Sequence, residues 1–305
     1  LEAPISDWSR LTGTSLAPER AARWGTALGA IGESPVTHPA GPIAEALRIG
    51  LAAADRGSSE SRDGLAESIE RSFREGLGNH AAASERYAAW ESETLAPPKD
   101  DRGVPQLFRT GQAFDASDEP TAWIARDGWE PAAVDVVASD RLGARAWGAV
   151  RTPDFTIDKG AIWYLIRARD VELRVVVDGY VMHVYSGLLF SDLTKRIDTG
   201  GEWQWVSQAG DLSRYLGHRA HLEVLDQGAG SFELAAIRFS DGPPPSEPLD
   251  PLVGQTYGLL STDEMPIAER AEQVAALWFT ALDAVASGSA DRRQADLVRW
   301  LVDRG

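Results

Sequence analysis

Aromatic and charged side chains in the second half of the chain are the residues whose types suggest a binding chemistry. Trp203 and Trp205 are two residues apart, so a β-strand would place both indoles on one face. Tyr and Trp rings stack on the apolar faces of sugar rings, while Arg, Asp and His side chains bind hydroxyl groups. This composition predicts a carbohydrate-binding surface. The candidate ligand-binding residues are Tyr180, Trp203, Trp205, His218 and Arg219.

Two competing interpretations apply to these residues. Aromatic side chains at alternate positions are often core residues, so Trp203 and Trp205 could be buried instead of binding a ligand. Three arginines, Arg167, Arg169 and Arg174, could line one concave face. They could equally pair with surface carboxylates, where each pair contributes little to stability.

The sequence contains no motif that indicates a catalytic centre. It has no His-Glu-x-x-His, no Gly-x-Ser-x-Gly and no Walker loop. Asp226 and Glu233 flank a predicted turn and could approach each other as an acid/base pair, but their spacing alone does not indicate glycoside hydrolysis. His218 and His221 are three residues apart, which is a weak signal for a metal site.

Composition excludes several kinds of cofactor and partner. The chain has no Cys, which excludes disulfides, thiolate zinc sites and haem attached through Cys-x-x-Cys-His. We expect no cofactor, although oxygen atoms from Asp192, Asp198 and Asp226 could hold a structural calcium ion. The net charge is -16, which disfavours nucleic acid and anionic lipid surfaces as partners. No apolar run is long enough to insert into a membrane.

The 305 residues suggest about two domains, and their patterns divide the chain into three segments. Residues 1–96 and 246–305 have helical periodicity, while residues 97–245 have strand periodicity. Four short helices are predicted in the first segment, with apolar stripes at Ala21, Trp24, Leu28 and Ile31, at Ile43, Leu47 and Leu51, at Leu65, Ile69 and Phe73, and at Tyr87 and Trp90. Proline-rich linkers are predicted at 94–106 and 242–251, and Ser289 is the predicted N-cap of the last helix.

The middle segment predicts an antiparallel β-sandwich. Apolar residues alternate from Val171 to Val177, and Asp178-Gly179 is typical of a type I′ hairpin leading into a strand over 180–185. The continuous apolar run from Ala161 to Ile166 predicts a strand buried on both faces. The expected fold is α+β and multidomain, with a jelly-roll sandwich inserted between helical segments that pack together at the two chain ends.

Three stretches of the middle segment resemble a known family. They are Val150 to Ile157, Val177 to Tyr180 with Tyr185 to Phe190, and Trp205 with Tyr215 to Gly230, ending at Ile237 to Asp241. Together they are similar to the middle region of the large exported planctomycete-type cytochrome c proteins, which carry domains of unknown function. The resemblance implies an exported protein, a carbohydrate-binding-module-like jelly roll and neighbouring domains in a larger parent protein. The chain departs from the family pattern in lacking a haem site and in having Ser186 where the family usually has Gly.

These observations favour a non-catalytic module that binds polysaccharide on a face or loop edge of the sandwich. An alternative is a structural spacer whose helices dock against neighbouring domains. A third is an enzyme that acts on a glycan through a carboxylate pair. Because the chain begins at Leu1 instead of Met, we expect it to be a processed protein or a fragment of a longer one.

Overall fold

The computed structural model describes residue 26 and residues 29–55, 62–101, 103–114, 123–125, 129–141, 146–181, 192–228, 230–246, 250–262 and 264–304. Most of the first predicted helix and the part of the predicted strand beyond residue 181 lie outside these residues. The chain divides into two compact units, which we call the helical unit (Leu1–Arg86, Glu247–Thr280 and Leu297–Gly305) and the sandwich unit (Tyr87–Ser246 and Ala281–Asp296). The predicted domain limits after residues 96 and 245 stay a prediction.

Five helices are described. They are α1 (Gly41–Asp55), α2 (Arg62–Glu93), α3 (Pro251–Leu260), α4 (Ile267–Ala286) and α5 (Arg292–Arg304). The prediction of two separate helices within α2 was wrong. The stripe at Leu65 to Phe73 and the pair at Tyr87 and Trp90 belong to one helix, because the alanine-rich stretch between them contains no proline and favours helix propagation.

The predicted starts of two other helices also need correction. Helix α3 lies partly inside the predicted linker 242–251; Asp250 caps it, since its side chain accepts a hydrogen bond from the N–H of Leu252 at 2.9 Å, and Pro251 occupies the first turn. Helix α5 begins after Asp291 instead of Ser289. The Asp291 side chain accepts from the N–H of Gln294 at 2.8 Å, and Gln294 accepts from the N–H of Asp291 at 3.1 Å, which is a capping box.

The helical unit buries a small apolar core between α2 and α3. Phe73, Val253 and Tyr257 form this core. Gly76 is required at its centre, because a Cβ at this position would lie 2.5 Å from the Tyr257 ring. Close contact between the two helices therefore depends on a residue without a side chain.

In the described residues, thirteen strands form three sheets. They are β1 (Phe108–Thr110), β2 (Trp123–Ala125), β3 (Trp129–Pro131), β4 (Val137–Ala138), β5 (Gly148–Arg151), β6 (Phe155–Thr156), β7 (Ala161–Arg169), β8 (Val171–Val177), β9 (Tyr180–Val181), β10 (Thr194–Ile197), β11 (Gln204–Ser207), β12 (Arg219–Asp226) and β13 (Ser231–Ser240). The seven-stranded sheet has the order β1-β5-β12-β8-β10, with β6 also beside β12 and β9 beside β8. The four-stranded sheet has the order β11-β7-β13-β4, and β2 pairs with β3 alone.

Eight of these strands have jelly-roll connectivity. In chain order they are β4, β5, β7, β8, β10, β11, β12 and β13. The first pairs with the eighth, the second with the seventh, the third with the sixth and the fourth with the fifth, all antiparallel. This is one long hairpin, and the further pairs β13–β7 and β12–β8 roll it into two sheets. The expected α+β fold with an antiparallel sandwich is confirmed.

The two large sheets share one apolar core. Alternate residues of β8 and β12 from one sheet, and of β7 and β13 from the other, belong to a single buried cluster. The prediction that the run from Ala161 to Ile166 is buried on both faces was wrong. Ile162, Tyr164 and Ile166 enter the core, whereas Trp163 and Leu165 lie half-buried on the opposite face of the sheet.

The predicted hairpin after β8 is confirmed over its described residues. Asp178 and Gly179 have φ angles of 50° and 86°, as a type I′ turn requires, and β9 pairs back onto β8. The turn places Tyr180 at the end of the seven-stranded sheet, where its side chain is exposed.

Candidate functional site

A break in strand pairing lies beside a concavity of the sandwich unit. Strand β12 pairs with β6 at its beginning and with β5 at its end, and residues 152–154 bulge out between these two partners. Pro153 has no N–H to donate to a neighbouring strand. The Thr152 hydroxyl replaces a backbone carbonyl of the neighbouring strand as the acceptor for the N–H of Leu222, at 3.0 Å. The N–H of Thr152 donates to the carbonyl of Leu222, also at 3.0 Å. The bulge leaves the side chain of Asp154 exposed.

Beside this bulge lies a cleft of about 380 Å³, which we call the Phe155 cleft. The rings of Phe155 and Phe239 pack at a centroid distance of 4.6 Å in its floor. Leu95 forms one wall, held by two backbone hydrogen bonds to Phe239 of 2.8 and 3.0 Å. The remaining lining residues are Ala96, Pro97, Pro98, Thr152, Pro153, Asp154, Thr156 and Asp158. The first part of the predicted linker 94–106 is therefore a wall of the cleft and not a free connection, because its backbone pairs with β13.

Asp154 is the best-held polar group at the rim of the cleft. Its carboxylate accepts a hydrogen bond from Arg151 at 2.6 Å, and Arg219 and His221 each approach it to 3.7 Å. The hydrogen bond from Arg151 holds the pKa of Asp154 below its usual range. Asp154 therefore stays ionised near neutral pH and can accept hydrogen bonds from hydroxyl groups.

Three of the five predicted ligand-binding residues lie at one end of the seven-stranded sheet. His218 Nδ1 is 2.6 Å from a carboxylate oxygen of Asp178, and this contact lowers the pKa of Asp178. Tyr180 follows on the same hairpin with 72% of its surface exposed. Arg219 pairs in register with Thr156 of β6 and extends toward Asp154. Arg219 is therefore beside the rim of the cleft, whereas His218 and Tyr180 are exposed at the same end of the sheet and do not line the cleft.

Trp203 and Trp205 are associated with the other sheet. Trp205 lies on β11 and its indole N–H donates to the Tyr87 hydroxyl, while the Trp90 ring packs edge-on at 5.2 Å. Trp203 packs against Ala295, and the guanidinium of Arg292 lies 5.0 Å from its ring. The structure therefore does not bring all five predicted residues together. The contacts favour the interpretation that Trp203 and Trp205 are packing residues and not ligand-binding residues, because helix ends within the sandwich unit cover both rings.

The three predicted arginines do not form one face, since they lie on different sheets. Arg174 is on β8 of the seven-stranded sheet, whereas Arg167 and Arg169 are on β7 of the four-stranded sheet. Arg167 is buried among carboxylates: it pairs with Glu233, and with Glu130 at 3.6 Å and Asp296 at 4.0 Å. Burial raises the pKa of Asp296 to about 7, and Arg167 partly opposes this effect.

Asp226 and Glu233 do not form the acid/base pair that their spacing allowed. Asp226 faces the core from β12 and accepts from the Ser139 hydroxyl at 2.7 Å, while Glu233 points away from the core on β13 to meet Arg167. The two carboxylates lie on different sheets, and backbone alternation directs Asp226 into the core between the sheets and Glu233 away from it. Desolvation raises the pKa of Asp226.

The aspartates considered for calcium accept hydrogen bonds from their own turns. Asp192 accepts from the N–H of Thr194 at 2.9 Å, and Asp198 accepts from the N–H of Gly200 at 2.8 Å. Within the described ranges, no three His, Asp or Glu side chains form a group that could hold a metal ion. A structural calcium ion stays a prediction. No helix in the described part of the chain is long and apolar enough to cross a bilayer.

Comparison with known proteins gives partial likenesses only. No protein-family model and no curated protein matches the chain. The K2 cleaved adhesin domain of Lys-gingipain is 13% identical, with 50% of this chain and 99% of that chain covered and a TM-score of 0.27. A mutant of a family 29 carbohydrate-binding module, made to probe ligand recognition, is 11% identical, with 52% and 98% covered and a TM-score of 0.25.

A third likeness is to a glycoside hydrolase family 43 arabinoxylan arabinofuranohydrolase from Bacillus subtilis, in complex with cellotetraose. It is 14% identical, with 30% of this chain and 19% of that chain covered and a TM-score of 0.23, so this chain spans about a fifth of the enzyme's length. TM-scores this low decide neither fold nor ligand. The fold assignment rests on the strand order and the shared core.

Several residues of the site were missed in the sequence. Asp154 and Phe155 appeared only inside the stretch that resembles a family, and Leu95 lay in a predicted linker. The signal available was Pro153 between two strand-like pieces, which marks an interrupted edge strand. Exposed aromatic rings were missed as well: Phe108 is 61% exposed and Trp147 is 52% exposed.

Proposed function

We propose that the sandwich unit is a carbohydrate-recognition module that binds polysaccharide in the Phe155 cleft. The observation that carries the proposal is the pairing of an aromatic floor with an ionised, fixed carboxylate on the rim. A sugar ring presents apolar C–H faces and polar hydroxyl edges, which require these two kinds of partner at once. Arg219 supplies a further donor beside the rim, and His218 and Tyr180 are exposed at the same end of the sheet.

We further propose that the module is non-catalytic. A general acid for glycoside cleavage needs a raised pKa, and a second carboxylate must lie across the scissile bond. The pKa of Asp154 is lowered by Arg151, which suits hydrogen-bond acceptance and opposes proton donation. Asp296, whose pKa is raised to about 7 by burial, lies on α5 beside Arg167 and does not line the cleft.

The test compares glycan binding by variants of the cleft with glycan binding by matched control variants outside it. A glycan-array screen of the 305-residue chain identifies a ligand, and its affinity is then measured for Phe155→Ala and Asp154→Ala. We expect each change to weaken binding about tenfold or more, equivalent to one good stacking or charged hydrogen-bond contact. Phe279→Ala and Asp283→Ala are matched controls, because both residues are exposed on α4 outside the cleft. Unchanged affinity in both cleft variants would reject the cleft as the site.

The structural-spacer function remains the second candidate because apolar side chains on the helices are exposed. Phe279 on α4 is 64% exposed and Val302 on α5 is 53% exposed. In this alternative, such residues dock against neighbouring domains of an exported parent protein, as the family resemblance suggests. A chain that stays monomeric and binds no apolar dye would count against it.

A further inference from the structure

The outer face of the seven-stranded sheet carries a continuous row of side chains that passes beside the cleft at Arg151. Strand register places Phe108, Arg151, Glu223, Arg174 and Thr194 directly opposite one another across β1, β5, β12, β8 and β10. Neighbouring strands are about 4.8 Å apart, so the row is about 19 Å long. We call it the outer row.

The outer row points away from the core. Along β12 the core takes Ala220, Leu222 and Val224, so Glu223 between them must face outward. Arg174 has the same position on β8, between buried Leu173 and Val175. The row is open to a ligand at its β1 end, where Phe108 is exposed over 61% of its surface.

Ion pairs hold the polar groups of the row in place before any ligand arrives. Arg174 contacts Glu172 at 2.5 Å and Glu223 at 3.5 Å, and Arg151 contacts Asp154 at 2.6 Å. A guanidinium has five N–H donors, and these contacts leave several of them for hydroxyl groups. Groups that are already ordered lose little conformational entropy on binding, which favours their use as ligand contacts.

The outer row and the Phe155 cleft share one residue. Asp154 forms the rim of the cleft and is also the ion-pair partner of Arg151 in the row. A ligand that sits on Asp154 can therefore continue along the row without leaving the protein surface. The charges of the row and of its ion-pair partners nearly cancel: Arg151, Arg174 and Glu223 belong to the row, and the partners Asp154 and Glu172 are negative. The whole chain carries a net charge of -16, which repels polyanions.

We infer that the ligand is a linear, uncharged polysaccharide whose internal segments lie along the outer row, with Phe108 as the stacking residue at its β1 end, one strand from Arg151. This inference rests on the proposed function. It adds to the cleft a second binding surface and a class of ligand. Chains of several sugar residues should bind more tightly than short ones, and polymers of uronic acids should not bind.

The test is a chain-length series measured by calorimetry. The probes are cello-, xylo- and manno-oligosaccharides of two to six units, with oligogalacturonides as the anionic comparison. For the wild-type chain we expect affinity to rise with length. Phe108→Ala should weaken binding of the longest probe about tenfold and that of the shortest probe less, whereas Phe155→Ala should weaken binding of all lengths to a similar degree. Phe108→Tyr keeps the ring and should restore binding of long chains.

Each outcome has a distinct meaning. If Phe108→Ala matches the wild type at every length while Phe155→Ala loses affinity, the outer row is wrong and the proposed function stands. If oligogalacturonides bind as tightly as neutral probes, the assignment to uncharged chains is wrong. If the wild-type chain binds none of the neutral probes, the proposed function fails and this inference fails with it. Because Phe108 is exposed, its replacement should not disturb folding, and a melting curve of each variant checks this.

Discussion

The carboxyl group of Asp296 should destabilise the folded protein at and above neutral pH. Burial raises its pKa from the ordinary value of 3.8 to about 7, because the ionised form loses its solvation by water. The positive charges of Arg167, Arg292 and Arg293 lower the pKa again in part, whereas the negative charge of Glu233 raises it further. The folded state therefore binds this proton more tightly than the unfolded state does. The free energy of unfolding should fall as the pH rises from about 4 to about 7, and the full cost should be present above 7.

The size of the effect follows from the shift. About three pKa units correspond to an upper limit of roughly 4 kcal/mol. The side chain of Asp296 is 28% exposed, so water screens part of this cost. We expect Asp296→Asn, which mimics the neutral acid, to raise the free energy of unfolding at pH 8 by about 1–2 kcal/mol and to change it little at pH 4.5.

Urea denaturation at several pH values between 4.5 and 8 measures this difference. Asp283→Asn is the control, because it removes the same charge from an exposed position on α4 and should leave the pH profile as it is. If Asp296→Asn were less stable than the wild type at pH 8, the ion pair between Asp296 and Arg167 would outweigh the desolvation cost. That result would refute the reasoning.

Two further predictions concern the architecture of the sandwich unit. Replacing both Trp203 and Trp205 by Ala should lower the free energy of unfolding by about 2–5 kcal/mol, because both rings pack against helix ends. Thermal melts measure this change. A double variant that is as stable as the wild type but loses glycan binding would show that the two residues belong to the binding site. Gly230→Ala should destabilise the protein severely, since its Cβ would lie 2.5 Å from the carbonyl oxygen of Asp170. Gly242→Ala is the control: its Cβ would have no atom of another residue within 4 Å apart from its chain neighbours, so this variant should melt like the wild type.

Local patterns identified much of the sandwich because they reflect local physics. Alternation along β8 and β12, and the Asp178-Gly179 turn, depend on side-chain direction and on backbone angles that short stretches of chain fix by themselves. Helix α5 shows the limit of this approach. Ser289 and Asp291 both suit an N-cap, and only the folded chain shows that the reciprocal hydrogen bonds of Asp291 and Gln294 set the first turn.

The candidate site depended more strongly on tertiary structure. The residue types were visible in the sequence, and of the predicted residues Arg219 approaches the rim residue Asp154 at 3.7 Å. Asp154 could not be selected from 46 acidic residues, because its role arises from a bulge against β12 and from an arginine that holds it ionised. Likewise, Trp203 and Trp205 share a face as their spacing predicts, but what covers that face is contributed by chain segments far away in sequence.

The sequence by itself therefore determined the composition of this protein's surface, the periods of its strands and helices, and the antiparallel class of its sandwich. The tertiary structure decided which face of each sheet is open, because long-range pairing of β12 with β5, β6 and β8 aligns residues from distant segments into one row. It also decided which carboxyl groups stay ionised, since the pKa of a carboxyl group depends on solvation and on charges that approach only in the folded chain.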